Sequence, residues 1–376
     1  SCGSALAADE PQDEKPKTDL IDVLRPTPLG CALDRLRFRP FGWVEASLST
    51  TPGLDSDVRT GRVFDVEDEG FRLHQAYFAL ERQPDPDRCF DLGGKVAILW
   101  GTDARLLHAR GLLDDQDGRE QVDLLEAKLL ARFPVARGLT LSAGKCTTPL
   151  GFEVIEAPSN LLPSRSYLFG FAIPFTHVGG IATLEATEQW KFTYGLVEGW
   201  DVWDDNNDAW SHLGGVAWTS ASKADSVIVN GIVGPEREDD DRHLRAVLDA
   251  TWTHSFCDGL WTTTINADYG TEEGAAPGGG TASWWGVAGY LTRKWSDRLS
   301  ATARAEWFRD ADGTRLGEEA SLGEATFGLD WRPIPCLPNL HLRPEVRWDH
   351  SFDGPFFDDG RDRDQVSLAL DILFTF

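Results

Sequence analysis

The sequence predicts an all-β fold, a transmembrane antiparallel β-barrel of about sixteen strands. Three observations carry that expectation. Alternation of apolar and polar residues is held for eleven residues at the C-terminus. Short and long connections alternate between the strand candidates. Tryptophans gather near strand ends. No apolar run approaches the ~20 residues of a membrane helix, a test that barrel strands escape because only every second residue is apolar.

The last strand is the clearest. Val366, Leu368, Leu370, Ile372, Phe374 and Phe376 share one face, and Ser367, Ala369, Asp371 and Thr375 the other; Leu373 is the one misfit. Leu299, Ala301, Ala303, Ala305 and Trp307 likewise oppose Ser300, Thr302, Arg304 and Glu306. The same reading gives strands at 36–49, 70–82, 90–104, 122–133, 138–146, 177–186, 189–201, 210–220, 223–234, 243–256, 260–271, 281–294, 298–309, 321–333, 339–350 and 365–376. The stretch 120–133 has helical propensity and is assigned as a strand only because the register of the whole requires one.

Connections at 83–89, 134–137, 187–188, 221–222, 257–259, 295–297 and 334–338 are short. Those at 50–69, 105–121, 147–176, 202–209, 235–242, 272–280, 310–320 and 351–364 are longer. A soluble sandwich has no reason to segregate loops this way, whereas an outer-membrane barrel has short periplasmic turns and long external loops. Trp100, Trp200, Trp203, Trp210, Trp284, Trp307 and Trp348 fall near the external ends. Trp190, Trp218, Trp252, Trp261, Trp295 and Trp331 fall near the periplasmic ends, as two aromatic girdles would.

Composition narrows the function. The chain has 376 residues and a formal net charge of −25, which argues against non-specific nucleic-acid binding. Residues 1–35 read as a signal remnant followed by a flexible acidic periplasmic segment, and 36–376 as the barrel. Ser4-Ala5-Leu6-Ala7 suits a secretory cleavage site; a lipoprotein acceptor at Cys2 is the alternative. Of the six cysteines, Cys31, Cys89, Cys257 and Cys336 fall at the periplasmic end and are the disulfide candidates, Cys31 with Cys336 or Cys89.

Several stretches resemble the OmpL-like β-barrel porin family of bacterial outer membranes. They are Phe41-Gly42-Trp43-Val44-Glu45-Ala46, Gln75-Ala76-Tyr77-Phe78-Ala79-Leu80-Glu81, Trp100-Gly101-Thr102-Asp103-Ala104-Arg105, Gly144-Lys145, Pro149-Leu150-Gly151-Phe152-Glu153, Ala157-Pro158-Ser159-Asn160, Ser166-Tyr167 and Pro174-Phe175-Thr176-His177. The resemblance implies a porin-like barrel integral to the outer membrane and passive transport. It supplies no catalytic or substrate residues. Phe376 looks like the C-terminal signature that such proteins present to their assembly machinery, and porins are commonly trimers.

A water-filled barrel selects solutes by the width and charge of its constriction. Alternation places Glu126, Lys128 and Arg132, Arg245 and Asp249, Arg304 and Glu306, and Arg343, Glu345 and Arg347 on the inner wall. Arg304 with Arg343 and Arg347 forms a candidate basic stripe. The 147–176 connection, the third external loop, is thirty residues long and rich in large apolar side chains, which are costly to leave in water. The expectation is that it folds into the barrel and brings Glu153, Glu156 and Arg165 to the constriction; a subunit or membrane contact is the rival reading.

Acids crowd the other external loops, at 201–208, 235–242 and 351–364, and predict a modest cation preference. Asp204, Asp205, Asp208, Asp239, Asp240 and Asp241 are candidate Ca²⁺ or Mg²⁺ ligands, and Asp310-x-Asp312-Gly313 matches half of a calcium loop. No other cofactor is expected. Enzyme readings lack support: there is no G-x-S-x-G elbow and no H-E-x-x-H. The expected function is passive diffusion of small hydrophilic solutes and ions. A non-conducting barrel that anchors an envelope or surface assembly is the alternative.

Overall fold

The computed structural model describes residues 19–376. Sixteen antiparallel strands close into one barrel, each paired with its sequence neighbours and the first with the last. They are β1 (Arg39–Thr50), β2 (Gly70–Arg82), β3 (Asp91–Gly101), β4 (Gln121–Phe133), β5 (Gly138–Thr147), β6 (Thr176–Glu185), β7 (Trp190–Val197) and β8 (Ser211–Thr219). The second half comprises β9 (Asp225–Arg237), β10 (Asp240–Phe256), β11 (Trp261–Glu272), β12 (Ala282–Ser296), β13 (Leu299–Asp310), β14 (Ala320–Trp331), β15 (Leu340–Ser351) and β16 (Asp364–Thr375). The ambiguous 120–133 stretch is strand β4. Closure outweighs its helical propensity, because an unpaired edge would leave its backbone donors unsatisfied in lipid.

The ends meet at a glycine. Gly42 and Phe376 exchange both backbone hydrogen bonds, at 3.0 and 2.9 Å. A side chain on Gly42 would lie 2.3 Å from the Tyr77 carbonyl and 2.7 Å from the Phe376 ring, so only hydrogen fits there.

The connections follow the expected alternation with one departure. The acidic stretch 235–242 is not a loop: β9 and β10 run on to a tight turn at Glu238–Asp239, with a bulge between Asp240 and Leu244. Hairpin ends beyond the bilayer are solvated on both faces, so the alternation that marks a strand inside it vanishes there.

Two of the expected girdle residues point inward. Trp284 is fully buried and donates its indole N–H to Ala172 O at 3.1 Å; Trp200 is also buried. Trp100, Trp210 and Trp348 at one end, and Trp190, Trp252, Trp295 and Trp331 at the other, are exposed on the outer surface. Leu373, the misfit, faces inward into the core at 1% exposure.

Residues 20–36 are more ordered than their composition suggests. Residues 1–18, with the cleavage-site and Cys2 readings, lie outside the described residues. From Leu20 the chain forms α1 (Leu20–Leu24) and α2 (Pro28–Leu36). Thr27 caps α2 by accepting from Gly30 N at 3.1 Å, and Pro28 occupies the first turn, where its missing N–H costs nothing. Arg37 pairs with Asp85 on the β2–β3 turn at 2.5 Å.

The disulfide expectation is corrected. Cys31, Cys89, Cys257 and Cys336 are all free and exposed, and Cys146 is free and buried. Cys31, the expected partner of Cys336 or Cys89, instead directs its thiol to Arg25 O at 3.3 Å, within its own helical segment. A maleimide should label Cys31, Cys89, Cys257 and Cys336 in the folded protein and spare Cys146. Protection of two of the four until reduction would contradict this.

Candidate functional site

The β5–β6 connection, hereafter L3 (148–175), lies inside the barrel. Its backbone is tied to the wall all round. Gln75 on β2 donates to Ile155 O at 2.8 Å, Asn230 on β9 to Pro149 O at 2.6 Å, and Trp284 on β12 to Ala172 O. From β13, Glu306 accepts Tyr167 N and Leu168 N, both at 2.7 Å. From β15, Arg343 donates to Ala157 O at 3.1 Å and Arg347 to Arg165 O at 2.5 Å, while Glu345 accepts Ser164 N at 3.2 Å. A loop buried among apolar residues needs such partners, because unpaired backbone groups there are costly.

The apolar residues of L3 explain why it turns inward. Leu150, Ile155, Leu168, Phe169 and Ile173 join a core with inward-facing Val197, Leu213, Ile232 and Val247 of β7–β10, and with Trp284, Phe308 and Leu322. Two inward glycines make room for it. A side chain on Gly286 would meet Leu168 Cδ2 at 2.9 Å, and one on Gly328 would meet Leu162 Cδ2 at 2.6 Å. Alternation alone requires a polar inner face; under L3 that face is a mixture of buried apolar side chains and the polar groups that hold the loop's backbone.

The predicted wall charges do face inward, but most are already partnered. Arg304 bridges Glu153 of L3 and Glu324 of β14, each at 2.7 Å. Arg343 bridges Glu45 at 2.7 Å and Asp371 at 2.6 Å. Arg347 contacts Asp349 at 2.7 Å. Arg304, Arg343 and Arg347 are 2%, 2% and 0% exposed. The basic stripe is therefore neutralised and sealed, which corrects the reading of it as an open charged wall. The guanidinium is a planar fork of N–H donors, and in Arg304 and Arg343 it serves two carboxylates at once.

The remaining candidates divide similarly. Glu126 binds Lys95 at 3.2 Å and Lys128 at 2.7 Å. Arg132 binds Glu185 at 3.1 Å, and Arg245 binds Glu272 at 2.8 Å while lying over the Trp200 ring. Asp249 accepts from Asn266 at 2.5 Å. In L3, Arg165 faces no pore: it donates to Val154 O, Ile155 O and Pro163 O and packs on Phe64 and Phe169, bracing the loop from within. Burial opposes ionisation of Glu153, yet Arg304 and Arg165 overcome it and hold its carboxyl below the ordinary glutamate value. Burial raises that of Glu156, whose nearest base is Lys95 at 4.0 Å.

Sequence reasoning missed Glu45, Glu324, Asp349 and Asp371, the acids that neutralise the arginines. It also missed Arg62, from the β1–β2 connection L1 (51–69), which reaches Asp349 and Ser367 at 2.7 and 2.9 Å. The inner-face alternation of β15 and β16 already contains Asp349 and Asp371; charge balance along those strands was the available signal.

Near the short-turn end the inner wall is hydroxyl-rich. Thr183–Thr193, Thr253–Thr264, Ser255–Thr262 and Thr292–Thr302 pair across neighbouring strands at 2.9–3.4 Å. The lumen thus has two parts, one filled and apolar with L3, one lined by small polar groups.

Among the described residues, no three His, Cys, Asp or Glu side chains come together as a metal cage. Asp310 is occupied by the N–H groups of Thr314, Arg315 and Leu316, and Asp312 by Ser283 N, so this half-loop braces its own turn. Asp205 and Asp240 do the same for Asn207 N and Arg242 N. Asp204, Asp208, Asp239 and Asp241 stand in no such cage either.

A closed sixteen-strand barrel with exposed apolar residues and tryptophans outside, and an inserted third loop, is the architecture of an outer-membrane porin. The comparisons agree. Residues 38–376 match the family described as Putative beta-barrel porin-2, OmpL-like, and the chain belongs to that family. It is integral to the outer membrane. Similar solved structures include the outer membrane channel DcaP of Acinetobacter baumannii, at 14% identity and TM-score 0.60, covering 90% of this chain and 97% of that one. The trimer form of OmpT of Vibrio cholerae has 10% identity and TM-score 0.60, covering 90% and 99%. An anion-selective porin from Comamonas acidovorans has 8% identity and TM-score 0.62, also covering 90% and 99%. No curated protein matches the chain.

Proposed function

We propose that the protein is a narrow outer-membrane channel for passive diffusion of small hydrophilic solutes and ions, restricted by L3 and modestly cation-preferring. The observation that carries this reading is the insertion of L3, tied by hydrogen bonds to β2, β9, β12, β13 and β15. Cation preference is supported on two counts. The arginines that could attract anions are paired and buried. The acidic segments 201–208, 235–242 and 351–364 stand at the long-loop end, where fixed charge concentrates counter-ions within a Debye length. The anion-selective porin shares the fold, and fold alone carries no selectivity.

A second reading, a barrel that L3 plugs, draws on the near-zero exposure of Arg304, Arg347 and Lys145. Planar-bilayer recording under a salt gradient separates the two. Small, steady conductance with a reversal potential toward cations is the expected result. Silence from folded protein would favour the plug, and reversal toward anions would remove the selectivity argument. The external acids, Phe376 as an assembly signal and a homotrimer are parts of the same proposal; Phe376→Ala should lower the folded yield in cells without altering refolding in detergent.

A further inference from the structure

On the outer wall, across β11–β15, an apolar groove of about 620 Å³ runs along the strands. Strand register builds it. Ile265, Gly289, Ala305, Ala325 and Trp348 stand side by side at one level of the sheet, large at the two edges and small between them. One level nearer the short turns, Ala303 lies between Leu291 and Phe327. All of these face outward, since the alternate residues Tyr290, Arg304 and Thr326 are buried on the inner side.

The next level is charged. Arg293, opposite Trp261 on β11 and Ala301 on β13, is exposed on the same outer face at the periplasmic edge. Its guanidinium lies over the Trp261 and Trp295 rings, 5.1 and 5.3 Å from their centres. The basic residues nearby are matched with acids: Lys294 with Asp297 at 2.8 Å and Arg332 with Asp330 at 3.9 Å, whereas Arg293 forms no ion pair among the described residues. Indole rings mark the depth of the membrane interface, where lipid headgroups sit. A guanidinium held there is a planar fork that fits a phosphate.

Distance links the charge to the groove. From Ala301 to Ala305 is about 13 Å of strand. That is close to half of the ~30 Å hydrocarbon core, the depth one leaflet's acyl chain reaches. An anionic headgroup on Arg293 therefore lays its chain along Ala303 and Ala305 to the bilayer centre. We propose that this groove binds a phospholipid of the periplasmic leaflet, its phosphodiester held by Arg293 between Trp261 and Trp295 and one acyl chain seated over Ala303 and Ala305. The site stands outside the lumen and does not depend on how L3 shapes the pore.

The test is native mass spectrometry of the full-length protein released from detergent, with palmitoyl-oleoyl phosphatidylglycerol as the probe. One lipid should stay bound under activation that strips the rest. Arg293→Ala should weaken its binding about tenfold, the scale of one lost charge-assisted hydrogen bond. Arg293→Lys should recover part of that loss. Ala305→Phe puts a ring into the groove from an exposed position and should displace the lipid with the guanidinium intact. The matching diacylglycerol, which lacks the phosphate, should bind weakly and be indifferent to Arg293→Ala. Heat modifiability verifies that each variant is a closed barrel. No retained lipid in the wild type, or equal retention in the wild type, Arg293→Ala and Ala305→Phe, overturns the site. Glycerol phosphate competing as well as the whole lipid would make it a free-anion site and overturn the lipid assignment. An oligomer that Ala305→Phe disrupts, with lipid retention unchanged, would give the groove to a second copy of the chain and overturn it as well.

Discussion

Arg304→Ala is expected to destabilise the barrel by about 3–5 kcal/mol, the scale for removing one partner from a buried ion pair. Arg304 donates Nε to Glu324, Nη1 to Glu153 and to Ser164 O, and Nη2 to Ser164 Oγ at 3.2 Å. Its removal leaves Glu324 with only Arg347, at 3.7 Å, and Glu153 with only the influence of Arg165, and cuts the Glu153 and Ser164 ties between L3 and β13. The loop should become mobile and the conductance larger. Because the pair is shielded from solvent, the loss should persist at high salt, where an exposed pair would be screened. Arg304→Lys keeps the charge but not the fork and should fall between alanine and wild type. Urea titration in detergent measures the stability; a change under about 1 kcal/mol, the scale of an exposed pair, would show that the bridge is hydrated.

The second large effect belongs to barrel closure. Gly42→Val places a branched side chain where a single carbon already stands 2.3 Å from the Tyr77 carbonyl and 2.7 Å from the Phe376 ring. The Tyr77 carbonyl is sheet backbone and cannot yield cheaply, even if the tip of the Phe376 ring turns aside. Closure of β1 on β16 should fail, with loss of the heat-modifiable compact band on a gel and no recoverable channel. Gly42→Ala should fold in low yield, and full yield of the valine variant would mean that the seam accommodates a side chain.

Much of the barrel is legible in the sequence because a bilayer imposes one simple rule. Every strand must alternate where one face meets lipid, and Val366 to Phe374 shows it plainly. That rule assigns a face and nothing more. It places Arg304 inward but is silent on its partner Glu153, 151 positions earlier and on a loop. The basic stripe was therefore visible and its neutralisation was not. Leu373 and Trp284 are apolar residues on the inner wall, and both belong to the core that includes the apolar residues of L3. The length and apolarity of L3 signalled that it turns inward. The role of Arg165 did not follow, because a guanidinium spent on its own loop's carbonyls looks, in sequence, like one offered to a solute.

If L3 restricts the lumen, removing it widens the path. The direct measurement is single-channel conductance of the wild type against a variant lacking residues 153–166, both verified as closed barrels by heat modifiability. Deletion should give a clear increase over a small, steady wild-type conductance. Equal conductance from the two proteins would contradict it, since a loop that leaves the current unchanged does not define the path.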